Sequence, residues 1–300
     1  MNQPLETRRT FLKTALKQTL ATGLFASLPL SALRAADREA VKKPQYSCAS
    51  VNFTSLSLEQ ACERIAALRF DAIDIWGTPW AKHMQEIAED LKAEGFKALL
   101  EKHQLKLGSF AVYGTGYAPY AELLGQCGGG TVLRTSRHFR EGVSLTEDMK
   151  SFLEELKPEL ELCEKYDSYL AIQNHSGAQV LDRTDTIKAF VDLNQHKRLG
   201  IALGPYHLMR HGESVADAIR ICGDQLMYIY FWTNEEGEKQ MPGIGQTDMS
   251  DWFRALNDIK YPHYLTPFMH HEPEPDRMSE LHRLSRQYLD KTFEAAIIQS

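Results

Sequence analysis

The sequence predicts an α/β protein with the architecture of a (β/α)8 TIM barrel. Short apolar or β-branched runs alternate with longer segments whose apolar residues recur at helical spacing. Eight such strand–helix pairs follow one another over about 260 residues, which is the size of this barrel. The alternative is an open, doubly wound sheet, which normally has a glycine-rich phosphate turn after its first strand. Here that turn reads Asn52-Phe53-Thr54-Ser55 and contains no such motif.

The predicted strands are short runs rich in apolar, β-branched and aromatic residues. This composition is typical of parallel strands that are buried on both faces. The eight runs cover residues 46–53, 72–76, 106–113, 131–136, 169–173, 199–203, 227–232 and 264–269. Gly128-Gly129-Gly130 precedes the fourth run and is expected to form a tight turn at the N-terminal face of the barrel rather than a phosphate cradle.

The predicted helices differ in strength. Ser57 is a possible N-cap of the first helix, the second is charged and amphipathic, and the third is short and weak. The fourth is long and rich in Glu and Leu, and Pro158 is expected to kink it. The eight helical segments are 58–68, 84–103, 117–126, 145–166, 185–194, 214–221, 249–259 and 281–298.

The first 36 residues are predicted to be a cleavable export signal. The stretch Thr7-Arg8-Arg9-Thr10-Phe11-Leu12-Lys13 resembles the twin-arginine signal. A moderately apolar segment follows, and Lys17 makes it a poor membrane span. The alternative is an amphipathic helix of the fold. The expected domains are therefore a signal peptide over 1–36 and the barrel over 37–300, in a periplasmic or otherwise exported protein that meets the twin-arginine translocation machinery transiently.

Composition and charge restrict the class of partner. Of the 300 residues, 43% are hydrophobic and 25% are charged, as in ordinary soluble domains. Residues 1–36 carry five basic residues and one acidic residue, which leaves 29 basic and 39 acidic residues, a net charge of −10, for the remainder. This sign argues against nucleic acid, or a membrane after export, as the partner. The five cysteines show no metal-binding spacing and are expected to be reduced, mostly buried thiols.

Several segments carry a resemblance to a known family. They are the helix and strand over 58–77, the Gln-Asn-His ending of the fifth strand at 170–175, the sixth-strand segment 200–208 and the loop and helix at 242–252. In their order and spacing they resemble the xylose isomerase-like TIM barrels, the superfamily of sugar phosphate isomerases, epimerases and type-IV endonucleases. The resemblance covers residues 46–296.

The resemblance implies a divalent metal cofactor held by Glu, Asp, His and Glu on four strands. Hard cations such as Mg²⁺ and Mn²⁺ need such oxygen ligands. In this sequence the matching positions are Gln173, Gly204, a position near Phe231 and a position near Phe268. The usual acidic ligands are thus absent, while His175 and His207 remain, and the cofactor is left unknown.

The remaining polar residues at strand ends define a candidate site. The catalytic candidates are His175, His207 and Gln173, and His207, His270 and Glu272, with His271, could form a rebuilt metal site. Rim histidines without a metal are the alternative. The substrate-binding candidates are Trp76, Tyr113, Arg134, Trp232 and His270. Tyr117, Tyr206 and Phe231 also lie near strand ends, where aromatic residues either stack on sugars or pack loops.

Two functional hypotheses follow from this site. The first is an exported isomerase or epimerase-like protein that acts on a carbohydrate or cyclic polyol by proton transfer next to a carbonyl, with a histidine as base. The second is a non-catalytic relative that binds a sugar or a partner protein in the same pocket. A DNA-repair endonuclease is disfavoured by the acidic charge and the missing metal ligands.

Overall fold

The computed structural model describes residues 43–270 and 272–299. In this part of the chain eight parallel strands form one sheet in the order β1 to β8. A parallel bridge between Tyr46 and Leu265 brings the two outer strands together. The predicted (β/α)8 TIM barrel is therefore confirmed as a nearly closed barrel. Its strands are β1 (Ser47–Ala49), β2 (Ala72–Trp76), β3 (Lys106–Ala111), β4 (Gly130–Thr135), β5 (Ser168–Gln173), β6 (Leu199–Leu203), β7 (Leu226–Phe231) and β8 (Leu265–Pro267).

The helices lie between the strands in sequence. Short helical turns at His83–Gln85 and Glu86–Leu91 precede the second main helix, and a 3₁₀ turn at Ala118–Tyr120 precedes the third. The main helices are α1 (Leu58–Ala67), α2 (Lys92–Lys102), α3 (Ala121–Gln126), α4 (Leu145–Glu155), α5 (Lys157–Lys165), α6 (Thr184–Leu193), α7 (Pro205–Arg210), α8 (Val215–Cys222), α9 (Ser250–Asp258) and α10 (Pro275–Phe293).

The differences from the predicted elements have local causes. The long fourth helix divides into α4 and α5 at Leu156, because Pro158 near the start of α5 has no N–H to continue the helical ladder. The first strand is shorter than predicted and ends in a 3₁₀ turn at Ser50–Phe53. Helix α7 was not predicted, although Pro205 at its start is a favourable first helical residue. His207 therefore lies on a short helix after β6.

Side chains on the two faces of the barrel wall pack into two separate apolar groups. Those that point outward, such as Ile73, Phe110 and Ile172, pack with the helices in the main core. Those that point inward fill the barrel lumen with small and aromatic residues. The lumen group consists of Ala49, Val51, Trp76, Ala81, Ala111, Leu133, Ala171, Ala202, Tyr228, Tyr230, Trp232 and Phe268. The interior is thus a packed layer that supports the C-terminal rim.

The five cysteines are free thiols, and all but Cys127 are buried. The thiols are thus mostly buried, as expected, and burial raises the pKa of Cys62 to about 12, which disfavours its reactive thiolate form. In the described part of the chain no helix is both long and apolar enough to cross a membrane. The predicted signal over residues 1–36 and its boundary with the barrel lie outside the described residues.

The glycine cluster forms the predicted tight turn before β4. Gly128, Gly129 and Gly130 all have positive φ values, +102°, +80° and +140°. A Cβ on Gly129 would overlap the backbone carbonyl of Asp167, whereas a Cβ on Gly128 would meet no atom within 4 Å. Position 129 therefore needs glycine both for its backbone conformation and for lack of space, whereas position 128 needs it for its conformation alone.

We expect Gly129→Ala to lower the free energy of unfolding by roughly 3–5 kcal/mol, because backbone strain and overpacking add. The matched control Gly128→Ala should cost only roughly 1–2 kcal/mol, from strain alone. Urea unfolding of the two variants measures the difference. Equal losses would show that the close approach to Asp167 does not determine this turn.

Candidate functional site

An aromatic wall lies at the C-terminal end of the lumen and consists of Trp76, Tyr113, Tyr230, Trp232 and Phe268. The Trp76 ring stacks on Phe268 with centroids 5.3 Å apart and contacts Tyr113 edge-on at 4.8 Å. The Trp232 ring meets Phe268 edge-on at 5.3 Å. Trp76 and Trp232 are only 4% and 3% exposed, so they support the wall and offer little surface to a ligand.

More accessible rings lie around the aromatic wall. Tyr206 is partly buried and stacks on Trp232 with centroids 4.2 Å apart and the planes 8° from parallel. Trp80, which sequence reasoning missed, is 52% exposed and lies against Trp76. The side chain of His270 is 42% exposed and contacts both Trp76 and Trp232 edge-on. Ring surface for a ligand is therefore supplied mainly by Tyr113, Tyr206, Trp80 and His270.

The two predicted catalytic histidines lie side by side. The rings of His175 and His207 have centroids 4.1 Å apart. His175 is exposed after β5, and its Nδ1 lies 2.6 Å from the carbonyl oxygen of Ser176. His207 is buried on α7, and its Nδ1 lies 3.0 Å from Ser176 Oγ. Burial, reinforced by the charge of a protonated His175, lowers the pKa of His207 to about 3. His207 is therefore a neutral imidazole at neutral pH.

The third catalytic candidate, Gln173, lies beside this pair. It is 6% exposed, and among the described residues its amide has no hydrogen-bond partner. A Cβ on Gly204 would lie 2.9 Å from Gln173 Nε2 and 3.1 Å from His207 Cδ2. Both side chains therefore border the same small space beside Gly204. The backbone there is fixed by Asn174, whose Oδ1 accepts a hydrogen bond from the Gly204 amide at 2.7 Å. We name His175, His207 and Gln173 the rim cluster.

The residues that the sequence resemblance places at the metal positions do not supply the ligands of a hard divalent cation. Gln173 supplies only a neutral oxygen, and Gly204 supplies no side chain. Phe268 faces the lumen and has no donor atom, while Phe231 points outward and packs on Trp252 and Phe253 of α9. Trp232, and not Phe231, faces the interior at the end of β7. A hard cation lacks the carboxylates it requires at these positions.

The rebuilt metal site suggested by the sequence is not assembled. Across residues 43–270 and 272–299, no three His, Cys, Asp or Glu side chains converge in a way that could hold a metal ion. The Trp232 ring contacts both histidines edge-on, His207 at 5.3 Å and His270 at 5.0 Å. His270 instead approaches Glu272 at 3.8 Å. His271 lies outside the described residues.

Two other candidates are turned away from the rim cluster. Arg134 points to the helical side of β4, where its guanidinium lies 2.6 Å from Glu159 of α5. It alternates with Leu133, which faces the lumen, so strand parity excludes Arg134 from the site. Tyr117 is buried in the outer core, with its hydroxyl 2.5 Å from Ser168 Oγ.

Sequence reasoning missed a buried acid beneath the aromatic wall. Asp74 of β2 is fully buried and faces the lumen. Its carboxylate accepts hydrogen bonds from Ser109, Trp76 and Tyr230 at 2.6, 2.7 and 2.8 Å. The sequence does contain a signal for this residue. Asp74 is the one charged residue in the run Ala-Ile-Asp-Ile-Trp, and its side chain points to the same face of the strand as that of Trp76, two residues later.

The chain belongs to the xylose isomerase-like TIM barrel family, whose sequence profile matches residues 62–288. The rim cluster lies at the C-terminal face of the barrel, where the active sites of this fold are found. A comparison with curated protein sequences finds no match.

Solved structures with the same fold include several enzymes. A D-psicose 3-epimerase determined in the presence of D-fructose has a TM-score of 0.67 and 16% identity, over 83% of this chain and 99% of that chain. A 3-keto-D-glucoside 4-epimerase from E. coli also has a TM-score of 0.67 and 16% identity, over 83% and 100% of the two chains. The IolI protein with a zinc atom has a TM-score of 0.68 and 13% identity, over 84% and 99%. Similarity at this level establishes a shared fold.

We expect the His207 imidazole to stay neutral from pH 8 down to about 4, because its pKa is lowered to about 3. The unfolded chain takes up a proton near pH 6.5 that the folded chain does not, so His207 weakens stability as the pH falls through this window. Nitrogen-15 NMR of the imidazole measures the protonation directly. His207→Gln should lose less stability than the wild type between pH 7 and pH 4.5, whereas a His207 midpoint near 6 would contradict the buried environment.

Proposed function

We propose that the protein acts on a carbohydrate or cyclic polyol at the rim cluster, by proton transfer next to a carbonyl group. The observation that carries this proposal is the rim cluster, in which the His207 ring lies 4.1 Å from the His175 ring and borders the same space beside Gly204 as the Gln173 amide, which has no hydrogen-bond partner among the described residues. Membership of the xylose isomerase-like family and the location at the C-terminal rim support it.

The tautomer of His175 suits it to the role of proton acceptor. Its Nδ1 lies 2.6 Å from a backbone carbonyl oxygen, which can only accept a hydrogen bond. Nδ1 must therefore carry the hydrogen in the neutral ring, which leaves the lone pair on Nε2. Because His175 is exposed, a ligand C–H or O–H can approach that atom. The buried, neutral His207 packs beneath the ring and holds it in place.

Gln173 suits the carbonyl end of the same reaction. Removal of a proton next to a carbonyl places negative charge on the carbonyl oxygen, and donors aimed at that oxygen lower the barrier. The Gln173 amide can supply two such hydrogens and cannot itself act as a base. Since the donor set does not fit a divalent metal, the proposed step uses these protein groups alone.

The surroundings of the rim cluster favour a carbohydrate as the ligand. Tyr113, Tyr206, His270 and Trp80 present ring surfaces against which the C–H faces of a sugar can pack. The His175 imidazole and the Gln173 amide offer hydrogen bonds to its hydroxyl groups. A small-molecule carbohydrate is therefore the proposed partner, and the net negative charge of residues 37–300 argues against nucleic acid.

A second function, binding without catalysis, is favoured by the neutrality of the family's metal positions. Neither Gln173, Gly204 nor Phe268 supplies a carboxylate, and the pKa of His207 makes it a weak base. A pocket of this kind retains sugar-binding surface while the groups that usually promote proton transfer are absent.

The two functions are separated by following hydrogen exchange on a ketose. The purified chain is incubated with D-fructose in D₂O, and loss of the C–H protons next to the carbonyl is followed by proton NMR. We expect exchange catalysed by the wild type and slowed about 100-fold or more in His175→Gln, because a general base contributes on this scale. His196→Gln is the matched control, since His196 lies before β6 at the opposite end of the barrel.

The remaining outcomes decide between the hypotheses. Calorimetric binding of D-fructose without exchange supports the binding function. If no ketose, aldose or inositol shows either binding or exchange, both functional hypotheses are contradicted. Exchange that is abolished by EDTA and restored by Mn²⁺ contradicts a route that depends on protein groups alone.

We also propose that the protein is exported by the twin-arginine route, on the strength of the motif at residues 7–13. The double change Arg8→Lys and Arg9→Lys should leave the chain in the cytoplasmic fraction, whereas Lys17→Gln, outside the motif, should leave export unchanged. Cell fractionation and immunoblotting measure the distribution. Export of the double variant at the wild-type level would refute the proposal.

A further inference from the structure

Asp74 connects the floor of the lumen to the aromatic wall. Its Oδ2 accepts hydrogen bonds from Trp76 Nε1 at 2.7 Å and from the Tyr230 hydroxyl at 2.8 Å, while Oδ1 accepts one from Ser109 Oγ at 2.6 Å. The Tyr230 hydroxyl is in turn 3.5 Å from the hydroxyl of Tyr113, the partly exposed member of the wall. A single buried carboxylate thus contacts, directly or through one hydroxyl, three of the five wall residues.

The surroundings of this carboxylate are polar but carry no opposite charge. No Lys, Arg or His of the described residues forms an ion pair with Asp74. The titratable groups near it are Tyr228 and Tyr230 of β7, Tyr113, which follows β3, and Cys48 of β1, whose side chain lies in the outer core. Each of these is neutral at physiological pH, since burial raises its pKa.

These surroundings bring the pKa of Asp74 into the pH range in which a folded protein can be titrated. Burial raises the pKa of Asp74 to about 6, and the hydrogen bonds from Ser109, Tyr230 and Trp76 oppose a larger rise. Because this value lies above the ordinary 3.8, the folded protein binds the proton more tightly than the unfolded chain, and the carboxyl is ionised only above the raised value.

We propose that Asp74 is a positioning residue whose ionised carboxylate holds the Trp76 indole and the Tyr230–Tyr113 hydroxyl pair in place, so that protonation of Asp74 loosens the aromatic wall. Three donors meet two oxygens, an arrangement that an acceptor-only carboxylate satisfies. A protonated carboxyl carries one hydrogen and is a weaker acceptor. The serine and tyrosine hydroxyls can turn to accept that hydrogen, but the indole N–H can only donate, so Trp76 is the residue that registers the change.

The role of this wall in ligand binding rests on the proposed function, whereas the link between ionisation and wall position does not. The test therefore uses the ligand-free chain. The proton and nitrogen shifts of the Trp76 indole N–H are followed by NMR from pH 4.5 to pH 8, with Trp76→Phe used for assignment. We expect a single transition with a midpoint near 6, in which acidification moves the indole proton upfield as its charge-assisted hydrogen bond weakens.

Matched controls identify the titrating group. In the same spectra the Trp232 indole donates to the neutral Gln240 side chain at 2.8 Å and should lack that transition. His270 contacts the Trp76 ring at 5.7 Å, so the Trp76 transition must persist in His270→Gln. It must disappear in Asp74→Asn, which keeps the shape of the side chain and removes its titration.

Three results would overturn the proposal: a flat Trp76 signal over this range, an unchanged transition in Asp74→Asn, or loss of the transition in His270→Gln. If Asp74→Asn does not fold, Ser109→Ala provides the test, because loss of one donor to the carboxylate should move the midpoint upward. An unchanged midpoint in Ser109→Ala overturns the proposal. Absence of any sugar binding or exchange would refute the proposed function and leave these titration results unaffected.

Discussion

The alternation of side chains along eight parallel strands, with register shifts in the β2–β3 and β6–β7 pairings, is the constraint on which the rest of the structure depends. It sends one set of residues to the helices and the other to the lumen, and these sets form the two apolar groups. The same parity places Asp74, Trp76 and Gln173 inside the barrel and Arg134 and Phe231 outside it. The composition of the rim therefore follows from the face to which each residue at a strand end is directed.

The sequence predicted the architecture well because the barrel is encoded redundantly, by eight repeats of one strand–helix pattern. It predicted individual site residues less well, because proximity to a strand end does not specify a face. The position of Arg134 and Phe231 along the chain predicts that they lie at the rim. In the structure it is the adjacent residue, Leu133 or Trp232, whose side chain faces the interior. Counting alternate residues from Leu133 and from Trp232 would have corrected both.

Other differences could not be read from the chain at all. The contacts of His207 and His270 with the Trp232 ring bring together residues that follow three different strands. The role of Asp74 depends on donors from β3 and β7 that lie far from it in sequence. Such contacts are set by the tertiary arrangement, so a local pattern of residue types gives no direct signal for them.

Gly204 has a consequence for how this pocket can change. The volume where an acidic side chain would begin is already bordered by the Gln173 amide and the His207 ring, at 2.9 and 3.1 Å. An aspartate introduced there would shift the Gln173 amide and the His207 ring, and a glutamate at position 173 alone would supply one carboxylate where a hard cation needs several oxygen ligands. Positions 173 and 204 are therefore coupled, and an acidic site at this rim requires substitutions at both rather than at either one. Neighbouring positions of the rim thus have to change together.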